Sequence, residues 1–217
     1  MTSPERVLGD EPGREQELAP LLEWIVYGMP LTVTGRFAVG AISYGTAQST
    51  GLHLSALFPD ARGPMTRTIV NEPRARGIVF RGEQLGILGR ADLVIDSGGV
   101  VAARWARRRE RGVVHLETTG HDLLVPLVKI VAATMRDLDG LGRAACRLEL
   151  RRVNGLTIQA GDGQVAVVPD GHHTFIASGD LPIPAEADDV TDLVGRWLRE
   201  LARWLGLPQW ENAPTEG

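Results

Sequence analysis

The run "RADLVIDSGGVVAARWARRRERGVVHLE", residues 90–117, holds three apolar segments of strand length separated by "DSGG" and "ERG". Glycine pairs beside Asp and Ser mark tight turns, and β-branched runs of this length between turn signals read as consecutive strands. With "GIVFRG" just before, the pattern is a meander of neighbouring antiparallel strands. That reading sets the class of the whole chain as α+β, because strands in sequence rather than alternating with helices do not build a parallel sheet.

The same run carries five arginines within eight positions, 104–111. Read as one arm of a hairpin, it alternates Trp105, Arg107, Arg109 and Arg111 against Arg104, Ala106, Arg108 and Glu110. Arginine falls on both faces, and a strand cannot bury so many guanidinium groups cheaply. The expectation is a basic β-hairpin, Arg104 to Arg111, that projects into solvent, with Trp105 anchoring its base or stacking on a partner. Arg104, Trp105, Arg107, Arg108, Arg109 and Arg111 are the candidate binding residues, and the partner is another protein or a nucleic acid.

The wider charge layout sharpens this. Residues 62–111 hold eleven arginines against five acids, net +6, whereas residues 1–28 are net −4 and residues 180–217 net −5. The chain as a whole is acidic at −4, and all but one of its 23 basic residues are arginine, Lys129 being the exception. An arginine vocabulary of this kind fits a GC-rich bacterial genome. Acidic ends around a basic middle also suit self-association.

At 217 residues and 43% hydrophobic content the chain can bury a substantial core. No run approaches the length of a membrane span, and the polar opening "MTSPERVLGDEPGREQELAP" has no signal-peptide character, so the expected location is the cytoplasm with no membrane partner. Residues 1–13 and 211–217 read as tails around one domain, 14–210, with sub-halves dividing near 82–120.

Outward from the meander, three helices are expected. In "EQELAPLLEWIVYG" Leu18, Leu21, Leu22, Ile25 and Val26 form a helical stripe, with Gly28 and Pro30 as stops. In "HDLLVPLVKIVAATMRDLDG" Leu124, Leu127, Val128, Val131 and Met135 share a face. In "DDVTDLVGRWLRELARWLGLPQW" Asp188 or Asp189 caps a helix whose buried face runs Val190, Leu193, Val194, Trp197, Leu198, Leu201 and Leu205. Strands are expected at "PLTVTGRFAVGAIS", at "GLHLSALF", around residues 66–70, in "RAACRLELRRVNGLTIQAGDGQVAVVP", where "NG" and "GDG" read as hairpin turns, and at "HHTFIASG". Helix followed by strands near 15–80 and again near 121–178 admits an internal duplication, though no residues match between the two.

Catalytic signatures do not occur. The sequence has no G-x-S-x-G, Walker or GxGxxG pattern and no HExxH or CxxC. His172 and His173, adjacent on the chain, point to opposite sides of any strand and read as turn or surface histidines. His121 with Asp122 reads as a helix start. Cys146, the single cysteine, falls on an inward position of "RAACRLELR" and reads as core packing. Trp197 and Trp204, seven apart, share a helix face and read as sealing the core or a dimer contact, with the core favoured. No cofactor is expected, and the balance favours a non-enzymatic binding or adaptor protein over an assembly or chaperone-like component.

Two resemblances add to this reading. "RGEQLGILGRADLVIDSGGVVAARWARR" resembles the catalytic core of RecB-like PD-(D/E)xK nucleases, which implies Glu83 and Asp92 as ligands of a divalent metal. That chemistry needs a further acid on the next strand, where Ala102 and Ala103 stand instead, so the implied protein is a divergent or decayed nuclease. Over about 85–210, "RADLVIDSGGVVAARW", "DLLVPLVKIVAATMRDL" and "DLVGRWLRELARWLGLPQW" resemble in order the C-terminal region of bacterial Schlafen AlbA_2-type proteins. The resemblance implies a module that accompanies nucleic-acid proteins. That family's defining N-terminal strand and Gly-Gly turn have no counterpart, so no functional residue carries over.

Overall fold

The computed structural model describes residues 21–31, 72–74, 77–84, 89–96, 99–108, 113–137, 142–161 and 163–207, with the backbone alone at 21, 72–74, 77–84, 89–91, 96, 107 and 108. The tails expected at 1–13 and 211–217, and the strands expected between 31 and 70, lie outside the described residues.

The fold is α+β and mainly antiparallel. Strands β1 (Leu21–Pro30), β2 (Glu72–Arg74), β3 (Gly77–Gln84), β4 (Gly89–Asp96), β5 (Val101–Arg108), β7 (Gly142–Arg151) and β10 (Thr174–Ile183) form a seven-stranded sheet in the order β10-β7-β1-β5-β4-β3-β2. The run β3-β4-β5 is the meander expected from its turn residues. Strands β6 (Val113–His115), β8 (Thr157–Gln159) and β9 (Val165–Val167) form a second sheet in the order β6-β8-β9, with β6 parallel to β8. Between β6 and β7 the chain is helical throughout. It passes from α1 (Leu116–Thr119) through a π turn (Gly120–Leu124) into α2 (Val125–Asp137). The last helix is α3 (Ala187–Trp204).

The helix expected over 14–28 is instead β1 where it is described. Leu22, Trp24 and Val26 join the main core under the helices, while Ile25 and Tyr27 pack on the opposite face beside Val94 and Ala102. A strand covered on both faces loses its alternation and becomes a continuous apolar run, which a helical stripe fits equally well. The expected duplication loses its first helix for the same reason, and the described helical segments are those after β6 and after β10.

Helix α2 lies across β1 and β5, and α3 packs on β10 and against α2. Leu124, Leu127, Val128, Val131 and Met135 are all buried, as their spacing requires. So are Val190, Leu193, Val194, Trp197, Leu198 and Leu201, while Leu205 is half-buried at the helix end. Full burial of each such side chain contributes about 1.5–3 kcal/mol before entropy is charged. The contact between β1 and α2 is close enough to exclude a side chain: a Cβ on Gly28 would stand 2.5 Å from Cγ1 of Val131. The cap of α3 is Glu186 rather than Asp188 or Asp189, and Asp189 reaches back to accept from the Glu186 N–H at 2.9 Å.

Two expected hairpins are not hairpins. The Asn154-Gly155 turn leaves β7, which pairs with β1 and β10, and delivers the chain to β8, which pairs with β6 and β9. The backbone swings aside at Arg152, with φ at 62°, where its N–H donates to the His173 carbonyl at 2.7 Å. The arginine-rich segment behaves likewise, because β5 is flanked by β1 and β4 and β6 joins the other sheet. The "GDG" turn does close a hairpin, β8 to β9. There the Gly163 N–H donates to the Ala160 carbonyl at 3.0 Å, with Gly163 at φ 83°, a conformation glycine adopts without strain.

Candidate binding segment and the buried ion-pair row

Strand β5 carries the candidate arginines through two environments. Its central position exposes no free edge until its end, since Ala102 to Arg107 pair with both β1 and β4. Ala103 faces the main core and Trp105, half-buried, packs against it. Trp105 is also in register with the buried Trp24 of β1, so it belongs to the sheet's helix-covered face.

Arg104 corrects the expectation of a solvent-projecting ribbon at its first residue. It lies on the face away from the helices and is 9% exposed. One carboxylate oxygen of Asp92, itself 1% exposed, accepts from Arg104 Nε at 2.8 Å and also from Nη2. The third guanidinium nitrogen, Nη1, stands 3.5 Å from Oε1 of Glu23, which is buried as well. A buried guanidinium is tolerated only when it is paired and hydrogen-bonded in this way. Part of the signal for this row was present in the sequence, where Glu23 is the single charge of the otherwise apolar β1.

The row continues along the same face. Asp92 on β4, Arg104 on β5, Ile25 on β1, Glu149 on β7 and Ile176 on β10 occupy one cross-strand line. Glu149 is buried and accepts from Arg151 Nε at 2.8 Å and from Arg147 Nη2 at 3.4 Å. Arg147 also lies 5.9 Å over the Tyr27 ring. Burial, and then the Glu149 charge, push the Tyr27 hydroxyl well above the usual phenol range. The line ends in the open at Ile176, which is 49% exposed. Three carboxylates and three guanidiniums thus neutralise one another across four strands.

Arg107 and Arg108 extend β5 to its end, where the backbone pairs them with Leu22 and Leu21 of β1. Arg109 and Arg111 lie outside the described residues. At that end of the sheet β7 finishes with Arg151, and the exposed His172 and His173 precede β10. Neither histidine enters a strand, in keeping with a turn or surface role. His172 meets Trp204 edge-on at 5.4 Å, and Trp204 in turn covers Phe175, whereas Trp197 is wholly inside the core. His121 and Asp122 do not begin a helix; they are exposed in the π turn, 3.1 Å apart.

The metal-site alternative rests on Glu83 and Asp92. Backbone register pairs Glu83 with Arg90 and Asp92 with Arg81, so the two acids occupy diagonal positions on neighbouring strands. The Glu83 side chain is not among those described, and Asp92 is engaged by Arg104. Ala102 and Ala103, at the positions where the nuclease pattern needs an acid, are buried. Among the described residues no group of three or more His, Cys, Asp or Glu side chains is arranged to hold a metal ion. Cys146 is buried, and desolvation pushes its thiol up to about 12, the state of a packing residue rather than a nucleophile. No helix among the described residues is long and apolar enough to cross a membrane.

No protein-family model, curated protein or solved structure matches this chain.

Proposed function

We propose that this protein works by binding an anionic macromolecule through the arginine segment that leaves the end of β5, and that it is not an enzyme. The observation that carries the reading is the place of Arg107 and Arg108, which end a central strand of the larger sheet on the side where His172 and His173 lie exposed. Arg104 has no part in the contact, since Asp92 and Glu23 hold it inside. Guanidinium groups match carboxylate and phosphate geometry in bidentate fashion, which suits an anionic partner. Among the described residues Asp170 is an exposed acid near this end, and Glu110 falls within the arginine run itself.

The test replaces Arg107, Arg108, Arg109 and Arg111 together by alanine. Elution from a heparin column moves to lower salt, because each lost guanidinium releases fewer counterions on binding. The reading expects a nearly unchanged Tm, because solvated charges contribute little to stability. Retention equal to that of the unaltered protein defeats the proposal.

A further inference from the structure

Strand β10 closes one edge of the seven-stranded sheet, and among the described residues no strand pairs with its outer side. Phe175, Ala177 and Leu181 belong to the helix-covered core, so Thr174, Ile176, Ser178 and Asp180 stand on the opposite face, all exposed. A free edge is ordinarily blunted by charge or proline. Asp180 and Pro182 do this at one end, whereas residues 174–179 carry neither, and Ile176 among them is 49% exposed. Beside this open stretch β7 presents arginine at every fourth residue. Arg151 stands directly opposite Thr174 and Arg147 directly opposite Ser178, with side chains 24% and 35% exposed. Arg143, one step further along, is already paired with Asp180. Arg151 gives its Nε to Glu149 at 2.8 Å, and Arg147 reaches the same carboxylate with Nη2 at a long 3.4 Å. Arg147 Nε, though buried, makes no hydrogen bond. The ion-pair row is neutral as a whole but uneven. Two acids, Asp92 and Glu23, share Arg104, whereas two guanidiniums share Glu149, which leaves the β7 end one positive charge in excess.

We infer that the 174–179 edge takes up an extended acidic peptide as an added strand, with two carboxylates four residues apart on either side of one aliphatic residue. The inference stands on β7 and β10 and does not rest on the arginines at the end of β5. The spacing follows from the register. On an added strand, residues i, i+2 and i+4 share the face of Thr174, Ile176 and Ser178, and the outer two lie about 13 Å apart, the separation of Arg147 and Arg151 along β7. The added strand runs two strand spacings, about 9.6 Å, from β7. Arginines reach that far only across short neighbours, and Thr174 and Ser178 are the short neighbours on the two lines that hold arginine. The line between them holds Glu149, already engaged, and ends at Ile176, so the middle ligand residue is aliphatic and not acidic. The excess positive charge selects an acidic ligand over a basic one, and main-chain hydrogen bonds along the edge supply affinity, as in other strand additions. A second copy of β10 would bring one acid to this face, Asp180, where two are called for. The strip has no exposed aromatic ring on which a nucleic-acid base could stack.

The test follows the binding of short fluorescent peptides to the full chain by anisotropy. The probe Thr-Glu-Thr-Val-Thr-Glu-Thr is expected to bind. Its counterpart with Lys for Glu, and the isomer Thr-Glu-Val-Thr-Glu-Thr-Thr, whose glutamates stand three apart and face opposite ways, bind about tenfold more weakly. Ile176→Lys, a change at an exposed position, blunts the edge and weakens the probe about tenfold. Arg147→Gln weakens it about fivefold and flattens its salt dependence. Because Arg147 also lies over Tyr27, Ser178→Leu provides a check that leaves the guanidinium in place: it obstructs the line that Arg147 must cross and weakens binding by a similar factor. Amides of 174–179 gain protection from hydrogen exchange when the probe is bound. The four-alanine variant at the end of β5 binds the probe as the unaltered chain does. Loss of binding in that variant, with none in Ile176→Lys or Ser178→Leu, moves the contact to β5 and overturns the inference while the β5 reading stands. Equal binding of the three peptides, no binding of the probe, or its displacement by a short oligothymidylate also overturns it. So does a chain that elutes as a dimer and becomes monomeric with Ile176→Lys, since the edge then belongs to a second copy.

Discussion

Arg104 and Asp92 stand directly opposite one another in the β4-β5 ladder, with a single carboxylate oxygen accepting from two guanidinium nitrogens inside the protein. Removing one partner leaves the other charged and buried. Arg104→Ala should therefore lower unfolding free energy by about 3–5 kcal/mol, read from the urea midpoint. Exchanging all three buried charges, Arg104→Met with Asp92→Leu and Glu23→Leu, should recover most of that loss, because apolar side chains avoid the desolvation cost. A triple variant as weak as the single one would show that the cluster does more than neutralise itself.

The approach of β1 to α2 gives a steric prediction. Gly28→Ala puts a methyl 2.5 Å from Val131 and 2.7 Å from Met135. The helix must shift or the methionine must change rotamer, at a cost of about 1–3 kcal/mol. Gly171→Ala, with nothing within 4 Å of the new Cβ, serves as the control and should leave the thermal transition in place.

Cys146 predicts a stability loss in alkali. Its thiol rises from an ordinary 9.0 to about 12 in the folded chain, so between those values the folded state holds a proton that the unfolded state has released. Stability from this source is complete below pH 9.0, falls as pH rises and is gone near pH 12. Cys146→Ala should flatten that part of the pH dependence in chemical denaturation. The native thiol should also react slowly with an aromatic disulfide reagent at pH 8 until denaturant is added.

At the start of α3, Asp189 accepts the backbone N–H of Glu186 at 2.9 Å. Asp189→Ala should cost about 1 kcal/mol in unfolding free energy, whereas Asp189→Asn should keep part of it, since an amide oxygen still accepts.

How far the fold was legible depended on what covered each strand. The helical faces of α2 and α3 carry apolar residues at helical spacing beside polar ones, so Val131, Met135, Leu193 and Trp197 were readable as core. β1 was not readable as a strand because Glu23, Ile25 and Tyr27 are buried as thoroughly as Leu22, Trp24 and Val26. Turn chemistry located the chain reversals at Gly99, Asn154-Gly155 and Gly163, but not the partners of the strands on either side. Pairing is decided by distant residues, so two apparent hairpins proved to be passages between sheets. The candidate site divided in the same way. The run of arginines was evident, but the pairing that takes Arg104 out of it joins β1, β4 and β5 across residues 23 to 104.

The π turn at Gly120–Leu124 sets the angle at which the second sheet is held. Its signature bond, from the Val125 N–H back to the Gly120 carbonyl, accommodates one residue more than an α-helical turn. Each residue of helix rotates the chain by about 100°. Deleting a residue from 120–124 would restore regular winding and turn Leu116, and β6 just before it, about that far around the axis of α2. The single surplus residue thus acts as a phase setting between α2 and the strand that precedes it.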